Sequence, residues 1–387
     1  MIARIAIPVL FLTILATWYV ERVVLRHLFH KSWQRFLVCL PPLLMCIYTL
    51  ILAVPHAFLP FSPQIVNIYL LLLGLIILPL LVFTICSLLG WGHCRAHHTH
   101  KNWGNLVGLF LAFIPMAFTL YGSTIGFHKF VVRHENYISK DLPKAFDGYT
   151  IVHISDAHVG SYNNGNKALL QQMIDTINAL KPDAIMFTGD LQNVHPEEIE
   201  PLMPLLSQMH APDGVWSVLG NHDYAHYISA SSAIKAEAEH KVILLQRKCG
   251  WKLLNNTNSN VIRDNDTITV AGMENDGKPP FPARGNLTKA LRGVPNHRFV
   301  IMLEHDPSAW RRKILPYSNA QLTLSGHTHA MQFKLFGWSP ASLLYKEWGN
   351  MYYEDDRALN VTVGMGGLIP FRIGASNEIV VIKLRKG

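Results

Sequence analysis

Half of the 387 residues are hydrophobic and only 16% are charged, the reverse of the composition that keeps a chain disordered. Five cysteines, four of them within the first hundred residues, form no disulfide framework, so a stapled secreted scaffold is excluded. The net charge of +8 invites a nucleic-acid reading, but residues 1–127 hold seven Lys and Arg against one acid while the remainder is close to neutral; the excess reads as membrane topology, and no nucleic-acid partner is expected.

The first apolar run, Ile5 to Val20, extends toward Leu25 and shows no small-x-small cleavage pattern before Glu21, so a retained helix is expected rather than a signal peptide. Phe36 to Gly92 contains no Asp, Glu, Lys or Arg, enough for two membrane helices of about 20 residues each. The prolines of Pro55–Pro63 divide them. Asn102 to Phe127 supplies a fourth run. Spans are therefore predicted at about 5–25, 36–59, 65–90 and 103–127, making residues 1–127 a transmembrane domain. Apart from His56 the spans carry almost no ionisable residue, which suits an anchor better than a transporter. Arg22, Arg26, Lys31, Arg35, Arg95 and Lys101 lie in the loops after the first and third spans, against Arg4, Lys129 and Arg133 on the other side. That bias assigns the first set to the cytoplasm, and everything after the fourth span to the extracytoplasmic face. His93, Cys94, His97, His98 and His100 match no zinc spacing and read as a solvated basic loop.

Residues 128–148 read as a linker, followed by an α/β domain over 149–387. In it the runs 149–154, 184–188, 214–219, 299–303 and 321–325 read as buried strands, and Lys167 to Leu180 as an amphipathic helix. Each strand is followed by groups of ligand type. After the first come Asp156 and His158; after the second, Asp190; after the third, Asn221, His222 and Asp223; after the fourth, His305; after the fifth, His327 and His329. Strand ends in α/β sheets meet at one edge, where such folds place their chemistry. A His, Asp and Asn set without Cys supplies mixed nitrogen and oxygen donors for Mn, Fe or Zn rather than a structural zinc site. Two such ions suit an in-line phosphoryl displacement.

The order Asp-x-His, Gly-Asp, Gly-Asn-His-Asp, His, Gly-His-x-His resembles the calcineurin-like metallophosphoesterase family from about Tyr149 to the C-terminus. The resemblance implies a two-sheet sandwich flanked by helices and two divalent ions, Mn foremost, with Fe or Zn as alternatives. It also implies roles: Asp156, His158 and His329 on the first ion, Asp190 bridging, and Asn221, His305 and His327 on the second. His222 would stabilise the transition state or protonate the leaving oxygen, with Asp223 orienting it. Asn193 stands where the family commonly has an outer Asp. The segments Gly272–Asn275, Leu322–Gln332, Gly364–Gly367 and Pro370–Arg372 resemble a membrane-anchored bacterial branch related to UDP-2,3-diacylglucosamine hydrolases, whose best-known members have Gly-Gly in place of Ala330 and Met331. The implied substrate is a lipid or lipid-linked phosphoester or pyrophosphate. Phosphodiester cleavage of soluble nucleotides and a non-catalytic membrane sensor are the alternatives.

Four further features have competing readings. Arg372 is a candidate to bind a substrate phosphate bidentately, with a surface salt bridge the more common role for such a residue. Gly364–Gly367 would cradle a phosphate or simply turn the chain. Arg311, Arg312 and Lys313 would face solvent or lipid heads. Phe333, Phe336, Trp338, Trp348, Tyr352 and Tyr353 would pack in a core, dock at a membrane or shape the substrate mouth.

Overall fold

The computed structural model describes residues 2–55, 63–163 and 165–387, which form two compact units meeting at Ile125 and Gly126. In the first unit four helices are long and apolar enough to cross a membrane: Ile5–Leu28, Ser32–Ala53, Gln64–His97 and Gly104–Gly126. Their surfaces expose large apolar side chains such as Ile47, Leu50 and Phe110. Polar groups pair internally, the Tyr19 hydroxyl with Ser87 at 2.9 Å and the Asn102 amide donating to the Ser87 carbonyl at 3.0 Å. Apolar outside and polar inside is the arrangement a lipid solvent favours. Of the expected proline divide Pro55–Pro63, residues 56–62, His56 among them, lie outside the described residues. The third helix runs past residue 90 to His97, so His93, Cys94 and His97 sit on its last turns rather than in a loop.

Twelve strands are present among the described residues of the second unit. In chain order they are β1 (Phe130–Ser139), β2 (Thr150–Ile154), β3 (Ala184–Phe187), β4 (Val215–Ser217), β5 (Lys252–Leu253), β6 (Thr257–Arg263), β7 (Asp266–Gly272), β8 (Val300–Leu303), β9 (Leu322–Ser325), β10 (Asn350–Glu354), β11 (Arg357–Val361) and β12 (Asn377–Lys386). They form two six-stranded sheets in the orders β1-β12-β2-β3-β4-β5 and β10-β11-β9-β8-β7-β6. β2 to β5 run parallel, as do β7, β8, β9 and β11, so in each sheet their C-terminal ends lie at one edge.

Side-chain alternation along β2 shows how the layers assemble. Ile151 enters the core between the sheets with Met186, Trp216, Ile301 and Leu322. Val152 and Ile154 face the other way, against Leu170, Met173 and Ile177 of the helix Lys167–Ala179. Ala309, Trp310 and Ile314 cover the outer face of the second sheet. The molecule is thus a two-sheet sandwich flanked by helices.

Residues 128–148, expected as a linker, are instead part of the fold. β1 lies within them and pairs in parallel with β12 over ten residue pairs, Phe130 with Asn377 through Ser139 with Lys386. Its polar centre, Arg133 to Asn136, disguises an edge strand whose outer side meets solvent.

His153 of β2 is fully buried, with Nδ1 2.8 Å from the Asn360 amide and Nε2 3.0 Å from the Thr188 hydroxyl. Desolvation pulls its pKa down to about 4, against the smaller raising effect of Asn360. The unfolded chain therefore binds a proton that the native protein refuses, and stability present above about pH 6.5 drains away as pH falls toward 4. The difference corresponds to about 3 kcal/mol. In thermal melts across this window, His153→Gln should show a correspondingly shallower acid loss than the wild type; equal slopes would assign the acid sensitivity elsewhere.

Candidate metal centre

Loops leaving the parallel strands bring all seven predicted ligand residues together. Asp156, His158, Asp190 and His329 form one group of mutually close donor atoms, and Asp190, His305 and His327 form another; both are able to hold a cation. In the first group His158 Nε2 lies 3.2 Å from His329 Nε2, and His329 Nε2 lies 3.2 Å from Asp156 Oδ1. In the second, Asn221 Oδ1 is 2.7 Å from His327 Nδ1 and 3.1 Å from His305 Nε2, and the two ring nitrogens are 3.3 Å apart.

Asp190 joins the groups through one oxygen. Its Oδ1 accepts the His222 backbone N–H at 2.8 Å, while Oδ2 stands 3.6 Å from His158 Nε2 and 3.2 Å from His305 Nε2. Gly220 permits this approach, because a Cβ there would sit 2.2 Å from Asp190 Oδ1. Gly326 does the same for Asp156, where a Cβ would lie 2.1 Å from Oδ2. Asp156, His158, Asp190, His327 and His329 themselves have φ between +43° and +72°. For an L-residue each such conformation costs about 1–2 kcal/mol, strain of the kind that collects at functional sites.

The protonation chemistry of the donors fits divalent ions. The Nδ1–H of His305 donates to the Thr188 carbonyl at 2.7 Å, leaving Nε2 aimed into its group. Tyr345 hydroxyl lies 2.8 Å from His327 Nε2, so His327 faces the site through Nδ1. Outer partners of this kind fix the tautomer of a ligating imidazole. Burial holds His158 and His327 below the usual histidine range and therefore neutral, the form that ligates. Burial opposes charge on His305, but the neighbouring Asp190 carboxylate prevails and raises its pKa to about 10. Asp156 and Asp190 likewise stay ionised despite burial because imidazoles adjoin them. A buried pocket that draws a proton onto His305 is one that attracts positive charge.

His222 lies beside the first group, its ring centroid 4.8 Å from that of His158 and 4.4 Å from that of Tyr227. Its Nδ1 is 2.5 Å from the Asn193 carbonyl, an acceptor only, so Nδ1 carries the hydrogen. The expectation that Asp223 orients this ring is corrected. The Asp223 carboxylate accepts backbone N–H groups from Asp190 at 2.8 Å, Leu191 at 2.9 Å and Gly220 at 2.9 Å, so it ties the two ligand loops to each other. Asn193, in the position read as an outer departure from the pattern, supplies the orienting carbonyl instead.

Arg372 is also corrected. It is completely buried and donates to the carbonyls of Ala375, Val363, Gly364 and Gly366. Desolvation lowers its pKa to about 10. Its guanidinium braces the turn Gly364–Gly367, whose Met365 and Gly366 N–H groups hold the Ser155 and Asp156 carbonyls at 2.9 Å. Arg372 therefore supports the Asp156 loop from behind rather than meeting a phosphate.

A cleft of about 280 Å3 opens over the two groups, lined by His158, Asp190 and His222 together with Phe281, Leu344 and Tyr345. Tyr227 and Tyr345 join the site through their hydroxyls. Tyr227 accepts from the Asn221 amide at 2.8 Å, and neither tyrosine stands at a spacing that would mark it.

Comparison with known proteins agrees with this geometry. Residues 149–331 match the family described as "Calcineurin-like phosphoesterase", and residues 3–127 match "Probable Calcineurin-like phosphoesterase, transmembrane domain". The metallophosphoesterase YkuE of Bacillus subtilis, itself uncharacterised, is 31% identical over 72% of this chain and 96% of its own length. A transmembrane protein with metallophosphoesterase domain from Danio rerio is 30% identical over 63% of this chain, which spans about half, 55%, of that relative. The UDP-2,3-diacylglucosamine pyrophosphatase LpxG of Chlamydia trachomatis is 26% identical over 63% of this chain and 86% of its own length. The chain belongs to the calcineurin-like metallophosphoesterases, metal-dependent hydrolases of phosphoester bonds, and carries their catalytic domain behind a four-helix transmembrane domain.

Proposed function

We propose that the protein hydrolyses the phosphoester or pyrophosphate bond of a lipid or lipid-linked substrate, using two divalent ions, Mn foremost. Asp156, His158 and His329 would hold one ion, Asn221, His305 and His327 the other, and Asp190 both. The observation that carries the two-ion reading is the single Asp190 oxygen standing between the two donor groups. Such a pair supplies Lewis-acid polarisation of a phosphoryl group and activation of water. The chain's own part is to fix the donors in strained loops and to present His222 to the phosphoryl group. With Nδ1–H given to Asn193, the second proton of His222 belongs at Nε2, and an approaching anionic substrate favours its uptake. That proton can then pass to the leaving oxygen.

Support for a lipid substrate comes from the membrane domain and from the substrate named for the chlamydial relative. Purified protein supplied with Mn should turn over lipid phosphoesters or lipid pyrophosphates in preference to soluble phosphodiesters and nucleotides; equal or better turnover of nucleotides would overturn the lipid reading. The charge bias of the loops supports an extracytoplasmic catalytic unit. A cysteine placed at exposed Ile262 in a cysteine-free background should react with a membrane-impermeant maleimide in intact cells, and protection there would reverse the assignment.

A further inference from the structure

The segment from Phe333 to Lys346 leaves the metal centre and returns, and it carries apolar side chains that the fold does not use. Phe336 is fully exposed, Leu343 is 76% and Leu344 65% exposed, and Trp338 is half exposed. Phe333 and Trp348, from the same aromatic stretch, are partly buried, so the stretch divides into an inner and an outer set.

The outer set is held firmly. Leu335 and Trp338 exchange two backbone hydrogen bonds of 2.9 Å across Phe336 and Gly337, whose φ values are +50° and +82°. This is a tight hairpin turn of the kind that favours Asn and Gly at its centre. Phenylalanine at the first central position is strained and gains no burial in exchange. Ser339, buried, anchors the return by donating to the Ala330 carbonyl at 2.6 Å, and Lys334 N–H holds the Ile373 carbonyl at 2.8 Å. A rigid turn that displays an aromatic ring to water in a disfavoured conformation needs a reason outside the folded unit.

Charge indicates that reason. Residues 330–346 contain Lys334 and Lys346 and no Asp or Glu. By contrast, Arg311, Arg312 and Lys313, the other basic cluster, are engaged by Glu347, Glu354 and Asp276. Exposed aromatic and aliphatic tips flanked by lysines match the interface of an anionic bilayer, where rings sit at headgroup level and ammonium groups meet phosphate. The apolar helices of the first unit keep the chain at a bilayer, and Leu344 is common to the exposed set and the cleft wall.

We propose that the Phe336–Trp338 turn and the adjoining Leu343 are a membrane-docking element that dips into an anionic bilayer surface beside the cleft. The inference concerns the surface the enzyme sits on and goes beyond the substrate reading. Full-length protein with its native cysteines replaced and Phe336→Cys labelled with an environment-sensitive fluorophore, in phosphatidylglycerol vesicles, should be quenched by doxyl-labelled lipid. The same label at Ile262→Cys, on exposed β6, should not be. Equal quenching at both positions, or none at 336, overturns the proposal. Should the cysteine-free protein fail to fold, the double variant Phe336→Ser/Trp338→Ser in the native background should raise KM for a vesicle-borne phosphoester about tenfold. It should leave turnover of a soluble chromogenic phosphodiester unchanged; equal change on both substrates overturns the proposal. Quenching requires no turnover, so an enzyme that ignores lipid phosphoesters would refute the proposed substrate while leaving docking intact.

Discussion

Asp190→Asn should lower turnover about 10⁴-fold, on the order of 5 kcal/mol of transition-state stabilisation, and should reduce bound metal below two ions per chain. The amide keeps the shape and can still accept the His222 N–H through Oδ1. What it loses is the charge on Oδ2, the atom facing both His158 and His305. Metal content by elemental analysis separates this from a general folding defect. In EDTA, where neither protein holds ions, the variant should melt close to the wild type, because removing the carboxylate also relieves His305 of the charge that draws a proton to it. Full metal occupancy with undiminished turnover in Asp190→Asn would sink the shared-oxygen reading.

His222→Ala should separate chemistry from metal binding. The ring adjoins the first donor group but is held by the Asn193 carbonyl and stacked beside Tyr227, outside both ligand groups. Loss of a positioned proton donor typically costs 10²–10⁴-fold in rate, so kcat should fall by about that range with two ions retained. The deficit should be largest for substrates with poor leaving groups and should shrink for an activated phenolic ester, which needs no proton on departure. A uniform loss across leaving groups would instead assign His222 to charge stabilisation or to the shape of the site.

The parts of this protein that the sequence makes legible are those in which a local pattern carries the information. The central strands β2, β3, β8 and β9 are short apolar runs, and each is followed at once by its ligands, so strand and site announce each other. β1 and β12 are different. β1 is an edge strand with a polar middle, and its partner lies at the far end of the unit, so nothing local distinguishes it from a linker. Corrections at the site have the same origin. Asp223 stands beside His222 in sequence, yet its carboxylate ties its own turn at Gly220 to the N–H groups of Asp190 and Leu191, more than thirty positions away. Arg372 looks like a phosphate ligand until its burial among four carbonyls is visible. Ala330 and Met331 occupy left-handed backbone, φ +49° and +48°, which explains why Gly-Gly suits the same positions in the family branch that the sequence resembles.

The pairing of β1 with β12 also bears on how the protein is made. During synthesis β1 emerges first of all the strands, directly behind the last membrane helix, whereas β12, which fills the gap between β1 and β2, emerges last. Until then the first sheet has two unpaired edges where one strand should be, and β1 has no neighbour at all. Such late, long-range closure slows assembly and leaves strand edges open to wrong partners. The first sheet is therefore completed only once residues 377–386 have been made, and deleting that strand would leave β1 without its partner.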